Sequence, residues 1–253
     1  MNLITIFNYP KNDKKYTLMC LTWLELAKKY AKDFNVKIFT QNGVNNELKN
    51  KIDEFGFELL KKETKSVRND SNPKFRHNVG FKLYNLCLEK EPFIFIDADA
   101  FILKDLNHLK ESSKGKPFVV VNHEKVPQHT AHLNYNFMNS GVQVCNETEI
   151  LDFEKIIDNK ITVPGTDQAL LHIYFKNMGY DYTHKNVGFE WNSYARYVKL
   201  NKNENGDWVG ISKGLDYEHP VYINHYWYDA KPWQINCKLF KEYEEKYKSV
   251  SVQ

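Results

Sequence analysis

Short apolar runs alternate with stretches of helical spacing along this chain, and their order predicts a βαβα pattern. Residues 2–7 form a β-rich run ending at Asn8-Tyr9-Pro10, after which Leu18, Leu21, Leu24, Leu26 and Ala27 recur at roughly helical spacing. A second run at 36–40 leads through Gln41-Asn42-Gly43 to a charged helical stretch at 46–55. A helix at about 75–90 then precedes the apolar strand 92–96, and further strands are expected at 118–121 and 141–144. Helices follow at about 149–159 and from near Thr166. This alternation predicts an α/β fold whose mainly parallel sheet finishes by Asn146, with helices on its faces and ligands beyond the carboxyl ends of its strands. From Asp181 onward the chain is rich in Tyr, Trp, Asn and Gly without strong periodicity, until a polar helical tail at 239–248. No internal repeat, low-complexity block or Pro/Ser linker divides it, so one domain over 1–253 is expected.

Composition narrows the class. Charged residues make up 26% of the 253 and hydrophobic ones 42%, which suits a folded globular domain and excludes a disordered one. The 35 basic and 32 acidic residues give a net charge of only +3, and lysines alternate with acids at 61–65 and 238–248. That balance requires no nucleic-acid partner and implies at most peripheral membrane contact. The aromatic content of 15% suits large cores or sugar-stacking surfaces.

Cys20, Cys87, Cys145 and Cys237 are widely spaced among apolar neighbours, as buried thiols in a reducing compartment would be. The first ten residues lack the features of a signal peptide, and no apolar run approaches the ~20 residues of a bilayer span. These readings predict a cytoplasmic protein, in which the glycosylation sequons at Asn69 and Asn146 are chance matches.

The chemistry concentrates at Phe95-Ile96-Asp97-Ala98-Asp99. On an extended strand, a two-residue step sends both carboxylates to one side, where they suit a hard divalent cation. Asp-x-Asp alone is common and is usually a solvated turn, but the apolar residues 93–96 and 101–103 anchor this copy to a buried strand. A cation there would neutralise the charge growing on a departing diphosphate.

Three further segments follow in order: 136–142 with Asn139-Ser140-Gly141, 165–171 with Asp167-Gln168, and His225 followed six residues later by Lys231-Pro232-Trp233. With Asp97-Ala98-Asp99 they resemble the motifs of the glycogenin and galactosyltransferase-like retaining enzymes, glycosyltransferase family 8, over about residues 2–233. The resemblance implies a GT-A fold, Rossmann-like, with a nucleotide-sugar-binding part at 1–146 and an acceptor-side part and tail at 147–253. It implies transfer from a UDP-sugar donor to a glycan, glycolipid or protein acceptor, with retention of anomeric configuration.

The same resemblance implies that Asp97, Asp99 and His225 bind Mn²⁺ or Mg²⁺, the imidazole favouring Mn²⁺. It assigns Lys231 and Lys82 to the donor, with Arg76 competing for the role of Lys82. Asn139 and Ser140 would meet the donor sugar, Asp167 and Gln168 would lie at the reacting face as the catalytic pair, and Ala98 between the acids would also touch the donor. Phe7, Asn8 and Tyr9, ending the first strand, are expected to receive the base and ribose. Plainer readings stand beside these: a core histidine at 225, a surface lysine at 231, an ordinary turn at Asn139, a helix-capping role for Asp167 and a turn aromatic at Tyr9. The family commonly has glycine three residues after the histidine, where this chain has Tyr228, so the loop after His225 is expected to differ.

Two rivals remain at this stage. An inverting or nucleotidyl-transferring relative of the fold is one; the latter usually needs a glycine-rich loop after the first strand, and residues 8–15 contain no glycine. The other is a non-catalytic nucleotide- or glycan-binding module.

Overall fold

A computed structural model describes residues 1–65, 73–121, 139–158, 167–196, 198–212, 217–226, 230–235 and 237–250. Strand β1 (Asn2–Ile6) leads to helix α1 (Lys14–Tyr30), which starts where the Asp13 carboxylate accepts hydrogen bonds from the backbone N–H groups of Lys15 and Tyr16. Strand β2 (Asn35–Thr40) is followed by α2 (Asn46–Phe55), capped by Asn45 and stopped by Gly56 in the left-handed conformation at φ 70°. Next come β3 (Glu58–Lys61), α3 (Pro73–Cys87), β4 (Phe93–Ile96), β5 (Ala100–Ile102), α4 (Leu106–Ser112), β6 (Phe118–Val120) and β7 (Val142–Cys145).

These strands build a six-stranded sheet in the order β3-β2-β1-β4-β7-β6, in which every strand but β7 runs the same way. The chain winds outward from β1 through β2 to β3, then returns to place β4 on the other side of β1. The carboxyl ends of β1 and β4 therefore flank the point where the winding direction changes, which is where open α/β sheets form their ligand crevice.

Strand β4 is buried on both faces, which explains its unbroken apolar sequence. Ile94 and Ile96 pack on one side with Leu21 and Leu24 of α1. Phe93 and Phe95 pack on the other with Phe81 and Leu83 of α3. The second core also takes residues of α5 (Phe153–Ile157) and α6 (Asp167–Asn177). Instead of one helix over 149–159, the chain makes a 3₁₀ turn at Thr148–Ile150 and restarts as α5. The Asp152 side chain forces that division by capping the backbone N–H of Lys155.

The aromatic-rich stretch after Asp181 contains five strands that periodicity did not reveal. They are β8 (Ser193–Tyr194), β9 (Val198–Lys202), β10 (Trp208–Ser212), β11 (Glu218–Pro220) and β12 (Ile223–His225). Each has two to five residues, too few to show a period of two. Strands β9, β10 and β11 form an antiparallel sheet, while β12 lies between β5 and β8 in a third one. Helix α7 (Lys238–Val250) then returns to pack Leu239 and Phe240 into the first core.

Because Ile94 is fully buried at the centre of the main sheet, Ile94→Ala is expected to destabilise the protein by about 2–5 kcal/mol. Urea unfolding checks this.

Candidate metal and donor site

The main sheet releases β4 at Ile96, and the chain turns at once. The N–H of Asp97 donates to the Gly141 carbonyl at 2.9 Å, and the N–H of Ala100 donates back to the Asp97 carbonyl at 2.9 Å. Asp97 and Asp99 thus converge through a tight turn between β4 and β5, rather than along the extended strand expected from their spacing. Ala98, at the middle of the turn, is buried in the first core.

Strand β5 also positions the third residue, which lies on β12. Its antiparallel register with β12 sets His225 opposite Ala100, and the N–H of Tyr226 donates to the Asp99 carbonyl at 2.8 Å. The buried imidazole then lies with Nε2 at 3.3 Å from Asp99 Oδ1 and 3.8 Å from Asp97 Oδ2. One ligand atom from each of the three residues lies within 4.8 Å of the others. The remaining carboxylate oxygens face lysines: Asp97 Oδ1 is 3.2 Å from Lys82 Nζ, and Asp99 Oδ2 pairs with Lys231.

Hydrogen bonding fixes which nitrogen of His225 faces the acids. The Gly141 N–H donates to Asn139 Oδ1 at 2.9 Å, so Asn139 presents its oxygen. Asn192, fully buried, must then direct its NH₂ group to that oxygen at 3.0 Å and to the Val121 carbonyl at 2.7 Å. Its own Oδ1 is left at 3.0 Å from His225 Nδ1 and accepts the proton there. A neutral imidazole held this way aims the lone pair of Nε2 at two carboxylate oxygens, an arrangement that favours a cation among the three. The residues present fit a hard divalent ion.

Gly141 makes room for the ring. A Cβ at that position would lie 2.7 Å from His225 Nδ1 and 2.9 Å from Asn139 Oδ1. The space beside the Gly141 backbone is thus filled by the protein's own imidazole.

A second charged cluster adjoins the first. Lys82, on α3 and buried, lies 2.8 Å from Asp167 Oδ2, donates to the Ser140 carbonyl at 2.9 Å and sits 4.3 Å from the centre of the Phe95 ring. The Ser140 hydroxyl donates to the same Asp167 oxygen, and Gln143 Nε2 donates to the Ser140 carbonyl at 2.6 Å. Burial works against the charge on Lys82, but Asp167 and Asp97 outweigh it and hold the ammonium pKa above its ordinary value. Burial likewise raises Asp167, yet Lys82 and Ser140 bring its pKa below the usual carboxylate value.

The two metal-site acids diverge. Burial dominates at Asp97 and raises its pKa despite Lys82. At Asp99 the adjoining His225 ring and the charge of Lys231 overcome burial and hold the carboxyl well below the usual range.

No protein-family model and no curated protein sequence matches the chain. Solved structures do. The apo glycosyltransferase GlyE of Streptococcus pneumoniae TIGR4 superposes with a TM-score of 0.62 at 15% identity, over 100% of this chain and 64% of GlyE. The galactosyltransferase LgtC, solved with donor and acceptor sugar analogues, gives 0.56 at 13% identity, over 98% of this chain and 96% of LgtC. The bifunctional glycosyltransferase WbbM gives 0.53 at 14% identity, over 96% of this chain and 49% of WbbM. The fold is GT-A. This chain spans just under two thirds of GlyE's length.

On this GT-A frame the loop after β1 reaches the same place. Phe7 is buried, edge-on to Trp23 with ring centres 6.0 Å apart, and Asn8 Oδ1 accepts the Gln41 N–H at 3.1 Å. Tyr9 stacks on Tyr16 at 4.4 Å, and Tyr16 meets the edge of Trp233 at 5.1 Å. Burial and the nearby Asp99 charge push the Tyr9 phenol well above its ordinary pKa. Gln168 is half-buried at the start of α6, next to Asp167.

The Arg76 side chain, 136–138, Gly165, Thr166 and Tyr228 lie outside the described residues, so the altered loop expected at Tyr228 does too. Sequence reasoning missed Asn192, which stands in an unremarkable Trp-Asn-Ser run far along the chain from Val121, Asn139 and His225. Its signal is purely spatial.

Two substitutions test the orienting network. Gly141→Ala displaces the ring and Asn192→Leu removes its acceptor, and each is expected to weaken Mn²⁺ binding by about 10–100-fold. Titration followed by electron paramagnetic resonance of free Mn²⁺ reads the loss, and circular dichroism verifies that the fold persists.

Proposed function

We propose that this protein is a metal-dependent glycosyltransferase that moves a sugar from a UDP-sugar to a hydroxyl of a glycan, glycolipid or protein, with retention. One observation carries the reading: on a GT-A fold, two aspartates and an oriented histidine converge at the carboxyl end of the central strand β4, with a lysine on each aspartate. Mn²⁺ is the preferred ion, since imidazole joins the carboxylates as a ligand. When bound, it supplies positive charge against a diphosphate leaving group.

The protein's own groups have distinct tasks. Lys231 and Lys82 place fixed ammonium groups beside the acids, suited to phosphate oxygens. Asp167, kept ionised by Lys82, accepts hydrogen bonds from donor-sugar hydroxyls, and Gln168 stands beside it at the reacting face. Asn139 and Ser140 border the sugar, while Asn8 and Tyr9 receive the uridine. The division into a donor part at 1–146 and an acceptor part at 147–253 follows the same reading, with His225 and Lys231 crossing back to complete the donor site.

A reducing, cytoplasmic setting is supported by four free cysteines, of which Cys20, Cys145 and Cys237 are buried. Among the described residues no helix is long and apolar enough to cross a membrane.

A screen of UDP-sugars with purified protein tests the function. UDP release that requires Mn²⁺ and falls by about 10²-fold or more in Asp97→Asn and Asp99→Asn is expected. Absence of hydrolysis or transfer from every donor, together with metal-independent nucleotide binding, would contradict it. Nuclear magnetic resonance of the product's anomeric proton distinguishes retention from inversion.

A further inference from the structure

An open groove of about 1010 Å³ runs between the start of α1 and helix α7, and it begins at Pro232-Trp233, directly after Lys231. Five lysines and two glutamates line it, a surplus of three positive charges that equals the formal net charge of the whole chain. Among the described residues no carboxylate pairs with Lys11, Lys14, Lys15 or Lys241, whereas Lys248 lies 3.4 Å from Glu244. The remaining walls are partly aromatic, with the half-buried Trp233 and Tyr247.

Lys14 and Lys15 stand in the first turn of α1, which contains no acidic residue. The positive end of a helix dipole favours acids there, so these lysines carry a small stability cost. Helix α7 brings Lys241 to the same groove from the opposite wall.

We infer that this groove, one wall of which comes from the donor part at the start of α1, holds the acceptor as an elongated glycan bearing carboxylate or phosphate groups. Aromatic walls pack against the faces of sugar rings while the unpaired ammonium groups meet the anions. The lining includes Pro232, the residue next to the lysine that pairs with Asp99, so a chain lying in the groove has one end beside the segment that serves the metal site. A bilayer is disfavoured as the occupant because α7 already uses its apolar side. Leu239 and Phe240 are buried, Tyr243 and Tyr247 pack on the same core, and Tyr247 donates to Glu25 at 2.9 Å. A concave cleft also fits a chain better than a flat surface.

The inference rests on the transferase reading, since it assigns the groove to that enzyme's acceptor. Calorimetry of the full chain with a galacturonic acid hexasaccharide, a glycerol phosphate oligomer and a glucose hexasaccharide tests it, with phosphatidylglycerol vesicles as a fourth probe. At least one anionic oligomer is expected to bind about tenfold or more tightly than the neutral one, and which of them does so identifies the anion. Lys14→Glu combined with Lys241→Glu is expected to lower that affinity by about tenfold or more. The Lys14→Glu change alone should leave the melting temperature unchanged or raised, because it corrects the first turn of α1; a loss of binding is then not a loss of fold. Equal binding of neutral and anionic oligomers, binding to vesicles alone, or no effect of the double charge reversal would each overturn the inference. UDP binding with Mn²⁺, measured on the same unmodified preparation, separates the two claims. If it is absent the transferase reading fails, and if it is present without anionic-glycan binding the groove assignment alone fails.

Discussion

The turn between β4 and β5 sets two carboxylates against each other, and the surrounding structure answers that repulsion. At a separation below 4.8 Å and an effective dielectric of about 20, two like charges repel by about 3–4 kcal/mol. Lys82 from α3, Lys231 from the loop before α7 and His225 from β12 approach from three directions to face these oxygens. Much of the tertiary arrangement can be traced to this requirement. The β5–β12 register lies directly after the acids and brings residues 223–225 beside residues 100–102.

The arrangement is asymmetric, which gives it a function beyond neutralisation. Each lysine takes an outer oxygen, leaving one oxygen of each aspartate toward the imidazole. Two backbone groups, the Gly141 N–H and the Val121 carbonyl, determine through Asn139 and Asn192 which nitrogen of that imidazole faces the acids. Backbone geometry of the central sheet therefore reaches the orientation of a side chain at its edge. Lys82 links this trio to Asp167, so the two clusters form one connected set of charges.

Much of the fold was legible in the sequence because its first half obeys simple periodicities. The apolar run at 93–96 reads as a doubly buried strand, and the alternation of β1, α1, β2 and α2 gives the parallel sheet. The later strands escaped because β5, β8, β11 and β12 have only two or three residues each and are held by register with distant partners. Asp97, Asp99 and His225 were legible as types in an order. The turn that joins the acids, the pairing of Lys82 with Asp167 and the role of Asn192 depend on contacts across the whole chain, which no local pattern encodes.

The central claim is that Asp97, Asp99 and His225 form one cation site that serves a nucleoside diphosphate. Calorimetric titration of UDP into the protein, with Mn²⁺ and again after chelation, tests it most directly. The account predicts that UDP binds tightly only when Mn²⁺ is present and that His225→Ala abolishes this dependence. Equal UDP affinity with and without the ion would contradict it.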